Sequence, residues 1–192
     1  MGINIEDGKG SGRTAAVTSI NQLEVVSESH ELQHHYSRHN GTVFQAISTD
    51  TGITAKTQTL LHLKNTDADR ICVVTFIRMQ AITDTASKPV VGEYFEVGFG
   101  RTVGSGGTAT TPVVMNRSSA KVASVTATGV DPTMAGTFVL CDKIYNKASG
   151  EEIVFNKQGS MILGLNDTVE VRLVSGGAGE AKCRITFMMI DI

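Results

Sequence analysis

The stretch TVEVRLVSGGAGEAKCRITFMMI, residues 168–190, decides the fold because its apolar and polar residues alternate almost without a break. The apolar positions lie two residues apart in both halves: Val169, Val171 and Leu173, then Cys183, Ile185, Phe187 and Met189. Side chains two residues apart share one face of a β-strand, so each half predicts a strand with one buried face. The glycine-rich GGAGE at 176–180 supplies a turn, and the stretch predicts an antiparallel pair.

The same period of two extends back to residue 42. Besides 168–175 and 181–190, it predicts strands at 42–48, 54–64, 70–82, 93–100, 112–116, 121–128, 137–144, 152–156 and 160–165. The segments TDTG (49–52), VGSGGTATT (103–111) and GVDPTMAG (129–136) are predicted turns or loops. No alternation of strands with helices occurs, so the chain is predicted to be all-β, an antiparallel β-sandwich or jelly roll.

The longest apolar run is RICVVTFIRMQAI, residues 70–82. A strand that is apolar on both faces is a central strand of a sheet. Strict alternation divides its side chains into two faces, with Ile71, Val73, Thr75, Ile77 and Met79 on one and Cys72, Val74 and Phe76 on the other.

Two segments precede this β-body of residues 42–192. Residues 1–26 are predicted to be an extended N-terminal arm, flexible in the glycine-rich 8–13 and ordered in 15–26 on a partner surface. Residues 27–41, SESHELQHHYSRHNG, are predicted to form a short helix or linker. The residues predicted to bind the partner are Ile3, Ile5, Arg13, Val17, Ile20, Leu23 and Val25.

Composition narrows the possible partners. The net charge of -2 provides no basic field for nucleic acid or an anionic membrane, so neither partner is expected. No apolar run approaches the roughly 20 residues that span a bilayer, and no secretory pattern opens the chain. A soluble chain made in the cytoplasm is expected. The three cysteines, Cys72, Cys141 and Cys183, lie in separate apolar runs and are predicted to be core residues.

Four of the five histidines lie close together, at His30, His34, His35 and His39. On a helix, residues four apart share a face, and such a histidine pair can hold zinc or another transition metal. A third ligand and an HExxH motif are missing, so a solvated or intersubunit helix is the competing reading. His62, within a strand, is predicted to be a packed or rim histidine.

The rest of the sequence carries no catalytic signature. The glycine-rich GKGSGR and GFGRTVGSGG lack the spacing of phosphate-binding loops, and there is no GxSxG nucleophile elbow. The prediction is therefore a protein that is not an enzyme and needs no cofactor.

Several stretches resemble virion structural proteins of tailed bacteriophages, of the capsid decoration (cement) or head-associated family. They are IEDGKGSGRTAAVTSINQLEV (5–25), NGTVFQAIS (40–48), TLLHLKNTDADRICVVTFIRM (59–79), TTPVVMNRSSAK (110–121) and SMILGLNDTVEVRLVSGGAGEAKCRITFMMID (160–191). The resemblance implies a β-sandwich or jelly-roll body, assembly as a trimer on the capsid surface, and an N-terminal arm that grips the shell.

From the resemblance we expect a protein that binds across neighbouring major capsid subunits, is assembled in the host cytoplasm and resides in the virion. One alternative is a tail, baseplate or head-fibre component that binds a host surface or glycan. A second is a jelly-roll metal-binding enzyme that uses the cluster from His30 to His39.

Overall fold

The computed structural model describes residues 5–6, 14–17, 23–24, 41–48, 51–53, 56–83, 93–146, 150–175 and 177–192. The chain divides into two compact units, Met1–Glu31 and Leu32–Ile192. The helix predicted over 27–41 lies outside the described residues, apart from its last residue, Gly41. Within the described part of the chain, no helix is long and apolar enough to cross a membrane.

The first unit contains three short strands, β1 (Ile5–Glu6), β2 (Thr14–Val17) and β3 (Leu23–Glu24). They form one small antiparallel sheet in the order β1-β2-β3, with Val17 opposite Leu23. These strands belong to the segment predicted as an extended arm, and there they pair with one another. The binding of a partner by this segment stays a prediction.

The described residues of the second unit form strands joined by turns and loops. In chain order they are β4 (Val43–Ile47), β5 (Thr51–Ile53), β6 (Thr57–Asn65), β7 (Arg70–Thr83), β8 (Tyr94–Phe99), β9 (Thr102–Ser105), β10 (Thr108–Thr110), β11 (Val113–Val114), β12 (Val125–Gly129), β13 (Thr133–Ala135), β14 (Val139–Tyr145), β15 (Glu152–Leu163), β16 (Thr168–Val174) and β17 (Gly179–Asp191).

Two antiparallel sheets form the sandwich. Sheet A has the order β11-β4-β17-β7-β15, with β5 also paired to β17, and sheet B has the order β10-β12-β6-β16-β8-β14. The main strands of sheet A, in the order β4-β17-β7-β15, lie against those of sheet B, in the order β6-β16-β8-β14. This is the strand order of a jelly roll. This confirms the all-β fold class and the predicted sandwich or jelly roll.

The core lies between the two sheets and is formed by the alternate residues of the long strands. Phe44 of β4 and Phe187 of β17 stack with their ring centroids 5.8 Å apart. Val169, Val171 and Leu173 of sheet B are buried in the same core. The apolar alternation of residues 168–190 thus separates the inward face of β16 and β17 from their outward face. A smaller buried group, Val43, Val73 and Met188, is separate from the main core.

Strand β7 is central, as predicted, but its division into two faces was wrong. Both of its neighbours change register at Thr75: on β17 the partner of Phe187 is Val74 and that of Thr186 is Phe76. The extra residue reverses the alternation, so Cys72 and Val74 face the core together with Ile77, Met79 and Ala81. The hydroxyl of Thr75, itself buried, donates to the carbonyl of Thr186 at 3.0 Å.

Several predicted boundaries also differ from the structure. The predicted loop at 103–111 contains most of β9 and all of β10, and the predicted turns at 129–136 and 49–52 contain β13 and the start of β5. The two strands predicted at 152–156 and 160–165 form one strand, β15, with a register shift between Asn156 and Met161.

Candidate functional site

The predicted partner-binding residues fall into two groups. Ile5, Val17 and Leu23 lie in β1, β2 and β3, whereas Ile3, Arg13, Ile20 and Val25 lie outside the described residues. The pairing of β2 with β3 places Val17 opposite Leu23, and two of the seven residues are thereby brought together.

The candidate metal ligands His30, His34, His35 and His39 lie outside the described residues. Within the described ranges, no group of three or more histidine, cysteine, aspartate or glutamate side chains is arranged to hold a metal ion. The metal-binding alternative stays a prediction for residues 30–39.

His62 lies on the outer face of sheet B, under two stretches, 100–105 and 131–138, that we call the cover. The cover contains β9 and β13, which pair with each other. His62 is buried, and its Nε2 lies 3.0 Å from the carbonyl oxygen of Arg101. Burial lowers the pKa of His62, against the opposing effects of the Arg101 carbonyl and the Glu170 carboxylate. His62 is therefore packed, one of the two alternatives predicted.

Glu170 lies beside His62 on the same face and is fully buried. Its Oε1 accepts a hydrogen bond of 2.6 Å from the Thr59 hydroxyl and lies 3.3 Å from Nη1 of Arg101, while Oε2 has no hydrogen-bond partner among the described residues. Because Glu170 and His62 are closed to solvent, this arrangement can fasten the cover to the sheet. It does not present an acid or base to a dissolved substrate.

Further contacts hold the cover in place. The backbone N–H of Gly100 donates to the Thr168 hydroxyl at 3.2 Å, and Lys56 forms a 2.7 Å ion pair with Asp131. The guanidinium of Arg172 lies 3.5 Å from the ring centroid of Phe138 and also pairs with Glu96 at 2.6 Å. The cover is thus a structural part of the body.

A cleft of about 310 Å³ opens where β8 and β15 end. Phe99, Ile162 and Leu163 line it, together with Asp167 and Thr168. Both polar side chains are engaged, since Asp167 accepts from the Gly164 N–H and Thr168 from the Gly100 N–H. The cleft therefore offers a mainly apolar surface.

The cysteines do not all lie in the core. Cys72 and Cys183 are buried, and burial raises the pKa of both thiols. Cys141 is exposed, contrary to the prediction. On β14, Leu140 pairs with Gly98 and Asp142 with Val97, so Cys141 is the extra residue of a bulge on an edge strand.

The two sheets end on the same flank, in β14 and β15, which follow each other along the chain. Among the described residues, β14 pairs with β8 alone and β15 with β7 alone. Val139, Leu140 and Tyr145 of β14 are 57%, 50% and 59% exposed, and Ile162 of β15 is also exposed. We call these four residues and the strand edges that carry them the open flank.

The outer face of sheet A carries two arginines in direct register. Arg184 of β17 is paired with Arg78 of β7. Ile47 of β4 is the partner of Arg184 on one side, and Val154 of β15 is the partner of Arg78 on the other. We call this row of four residues, Ile47, Arg184, Arg78 and Val154, the arginine row.

Sequence patterns alone miss both surfaces. Val139, Leu140 and Cys141 form an apolar run that is typical of a buried strand, and only the position of β14 at a sheet edge exposes it. Alternation places Arg184 on a polar face, but its pairing with Arg78 depends on register across residues more than one hundred positions apart, which no local pattern contains.

Comparison with known proteins adds no relative: no protein-family model matches the chain, and no curated protein matches its sequence.

Proposed function

We propose that this chain is a structural virion protein that decorates a bacteriophage capsid and stabilises it by binding across neighbouring major capsid subunits. The protein acts as a homo-oligomer, a trimer, on the capsid surface, and it performs no catalysis. The resemblance of its sequence stretches to capsid decoration proteins supports this function, and the jelly-roll body is compatible with it.

The open flank is the observation that carries the proposal. Edge strands leave backbone N–H and C=O groups available for another chain, and exposed apolar side chains add area that water solvates poorly. β14 and β15 provide seven and twelve residues of such edge, with Val139, Leu140 and Tyr145 exposed along the first. A flank of this kind suits the contact between subunits of an oligomer.

Contacts that are weak one by one can hold an oligomer on a capsid because many of them form together. A trimer that meets several capsid subunits at once binds through linked contacts, so its avidity exceeds the affinity of each contact by orders of magnitude. The segment 1–26 would add a further contact, through the predicted residues that include Val17 and Leu23.

The test is binding of the purified chain to capsids assembled from the major capsid protein of the same genome. We expect cosedimentation with the capsids and, in a particle reconstruction, threefold density on their outer surface. Capsids that leave the chain in the supernatant at saturating concentration would overturn the proposal. Density on the tail or on fibres would instead support the alternative of a tail or host-binding component.

A matched pair of variants tests the role of the open flank. Leu140→Lys combined with Tyr145→Ser is expected to shift the oligomer to monomers in sedimentation equilibrium. Val122→Lys, at an exposed apolar residue outside the flank, should leave the oligomer intact. If both variants stay oligomeric, the subunit contact lies elsewhere.

Metal analysis addresses the enzyme alternative. The proposed function predicts no stoichiometric metal in the purified protein. Stoichiometric metal that is lost on changing His30 and His34 to alanine would favour the metal-binding reading.

A further inference from the structure

The arginine row places two positive charges side by side on an open sheet face. Directly opposite residues on antiparallel strands have β-carbons about 4.5–5.5 Å apart, and like charges in these positions are unfavourable. Arg184 and Arg78 occupy such positions on β17 and β7. The isolated body therefore retains a repulsive pair where a neutral residue would be better for stability.

Little within the described residues relieves this repulsion. Arg78 lies 3.6 Å from Glu152, but this is a surface pair with side chains 45% and 42% exposed, so solvent screens it and the pair is weak. Arg184 has no ion pair or side-chain hydrogen bond with any described residue. A carboxylate placed between the two guanidiniums would add two attractions that together outweigh the one repulsion.

Apolar side chains border the charges on both sides. Ile47, 40% exposed, lies beside Arg184, and Val154 lies beside Arg78. Neighbouring strands are about 4.8 Å apart, so each apolar residue is roughly 7 Å from the midpoint of the arginine pair. In an extended chain, residues two positions apart are about 6.7 Å apart and share a face.

We propose that the arginine row binds an extended segment of a partner protein with the pattern apolar–x–acidic–x–apolar. The segment crosses the strands of sheet A, its carboxylate between Arg78 and Arg184 and its two apolar side chains on Ile47 and Val154.

The shape of the face favours a protein segment over a small ligand. The depression lined by Arg78, Arg184 and Glu152 has a volume of only about 10 Å³, and a second one beside it about 20 Å³. Gln80 and Lys182 line both depressions. Sites for small molecules are far larger, about 300–1,000 Å³. A shallow face with central charges and an apolar border instead fits side chains presented by another protein. We assign the segment to the major capsid protein, and only this assignment rests on the proposed function.

The pattern can be tested without a capsid. The probe is the peptide SVTETVS, titrated into the ¹⁵N-labelled full chain and followed by NMR. We expect amide shifts concentrated at Ile47, Arg78, Val154 and Arg184, and at least a tenfold weaker response to SVTQTVS. Equal responses to the two peptides, or shifts away from the row, would overturn the proposal.

Substitution of Arg184 separates recognition from folding. Arg184→Gln should abolish the peptide response and weaken capsid binding at least fivefold, while its unfolding midpoint remains equal to or above that of the wild type. Arg172→Gln is the control, because it breaks a 2.6 Å pair with Glu96 and should lower the midpoint. If the wild type binds capsids and Arg184→Gln binds them equally well, the role of the arginine row is refuted and the proposed function stands. If the wild type itself does not bind capsids, the proposed function is refuted.

Discussion

Phe138 packs so closely on Gly98 that a β-carbon built on Gly98 would lie 2.4 Å from Cζ of the Phe138 ring. The same β-carbon would lie 2.5 Å from the carbonyl oxygen of Val139, so rotation of the ring alone cannot make room for it. Gly98 belongs to β8 and Phe138 to the cover. The missing side chain of Gly98 therefore sets how closely the cover approaches sheet B.

Gly98→Ala is accordingly expected to destabilise the protein by about 2 kcal/mol, the usual scale for overpacking a filled site. Urea unfolding measures the change. Gly52→Ala in β5 is the matched control, since no atom of the described residues other than its chain neighbours lies within 4 Å of a β-carbon there, and the substitution should be neutral or slightly stabilising. Equal free energies of unfolding for the two variants would contradict this prediction, because they would mean that the cover moves away from Gly98 without loss of stability.

The pH dependence of stability should contain a contribution from His62. Burial lowers its pKa in the folded state below the ordinary value of 6.5, while the unfolded chain keeps the ordinary value. Below about pH 6.5 the unfolded chain therefore binds a proton that the folded chain does not, and the free energy of unfolding falls as the pH falls.

Comparison of wild type with His62→Gln isolates this effect from the other titrating groups. Urea unfolding at pH 8 and pH 5.5 should show a larger loss of stability in the wild type than in the variant. Parallel curves for the two proteins would contradict a lowered pKa. Glu170, Arg101 and Lys64 are the charged groups that influence His62, and all three remain in the variant.

The fold class could be predicted from the sequence because alternation marks one buried face per strand, as in Val169, Val171 and Leu173. The division of the β7 side chains between its two faces could not be predicted in this way. Thr75 is compatible with either face, and its position in a bulge depends on β15 and β17, which lie far away in the chain. A local pattern contains no signal for a register shift set by distant partners.

The cover could not be predicted from the sequence for a different reason. β9 and β13 are short and mostly exposed, so they show no apolar alternation. Gly106 and Gly107 have positive φ values, 69° and 73°, which supply the turn between β9 and β10 and make the segment resemble a loop. His62 and Glu170 meet Arg101 only through pairing of strands distant in sequence, and this buried cluster could not be read from spacing.

The pair between Arg101 and Glu170 should matter more than the second ion pair that holds the cover. Its side chains are 19% and 1% exposed, so Arg101→Met would leave a buried carboxylate without its counter-charge and cost about 3 kcal/mol. Lys56→Met removes an exposed pair with Asp131 and should cost less than about 1 kcal/mol. Urea unfolding of the two variants, with the Arg101→Met/Glu170→Gln double variant to measure coupling, tests this order; equal losses would contradict it.

The reactivity of the thiols connects the fold to the open flank. Burial raises the pKa of Cys72 and Cys183 and shields their sulfur atoms, whereas Cys141 lies exposed in β14. A thiol reagent such as Ellman's reagent at pH 8 should therefore react rapidly with one thiol per chain in the folded monomer and with three in urea. Cys141→Ser should remove the rapid reaction. If β14 forms the subunit contact, dilution of the oligomer to monomers should speed the reaction at Cys141, and a rate independent of protein concentration would place the contact away from this strand.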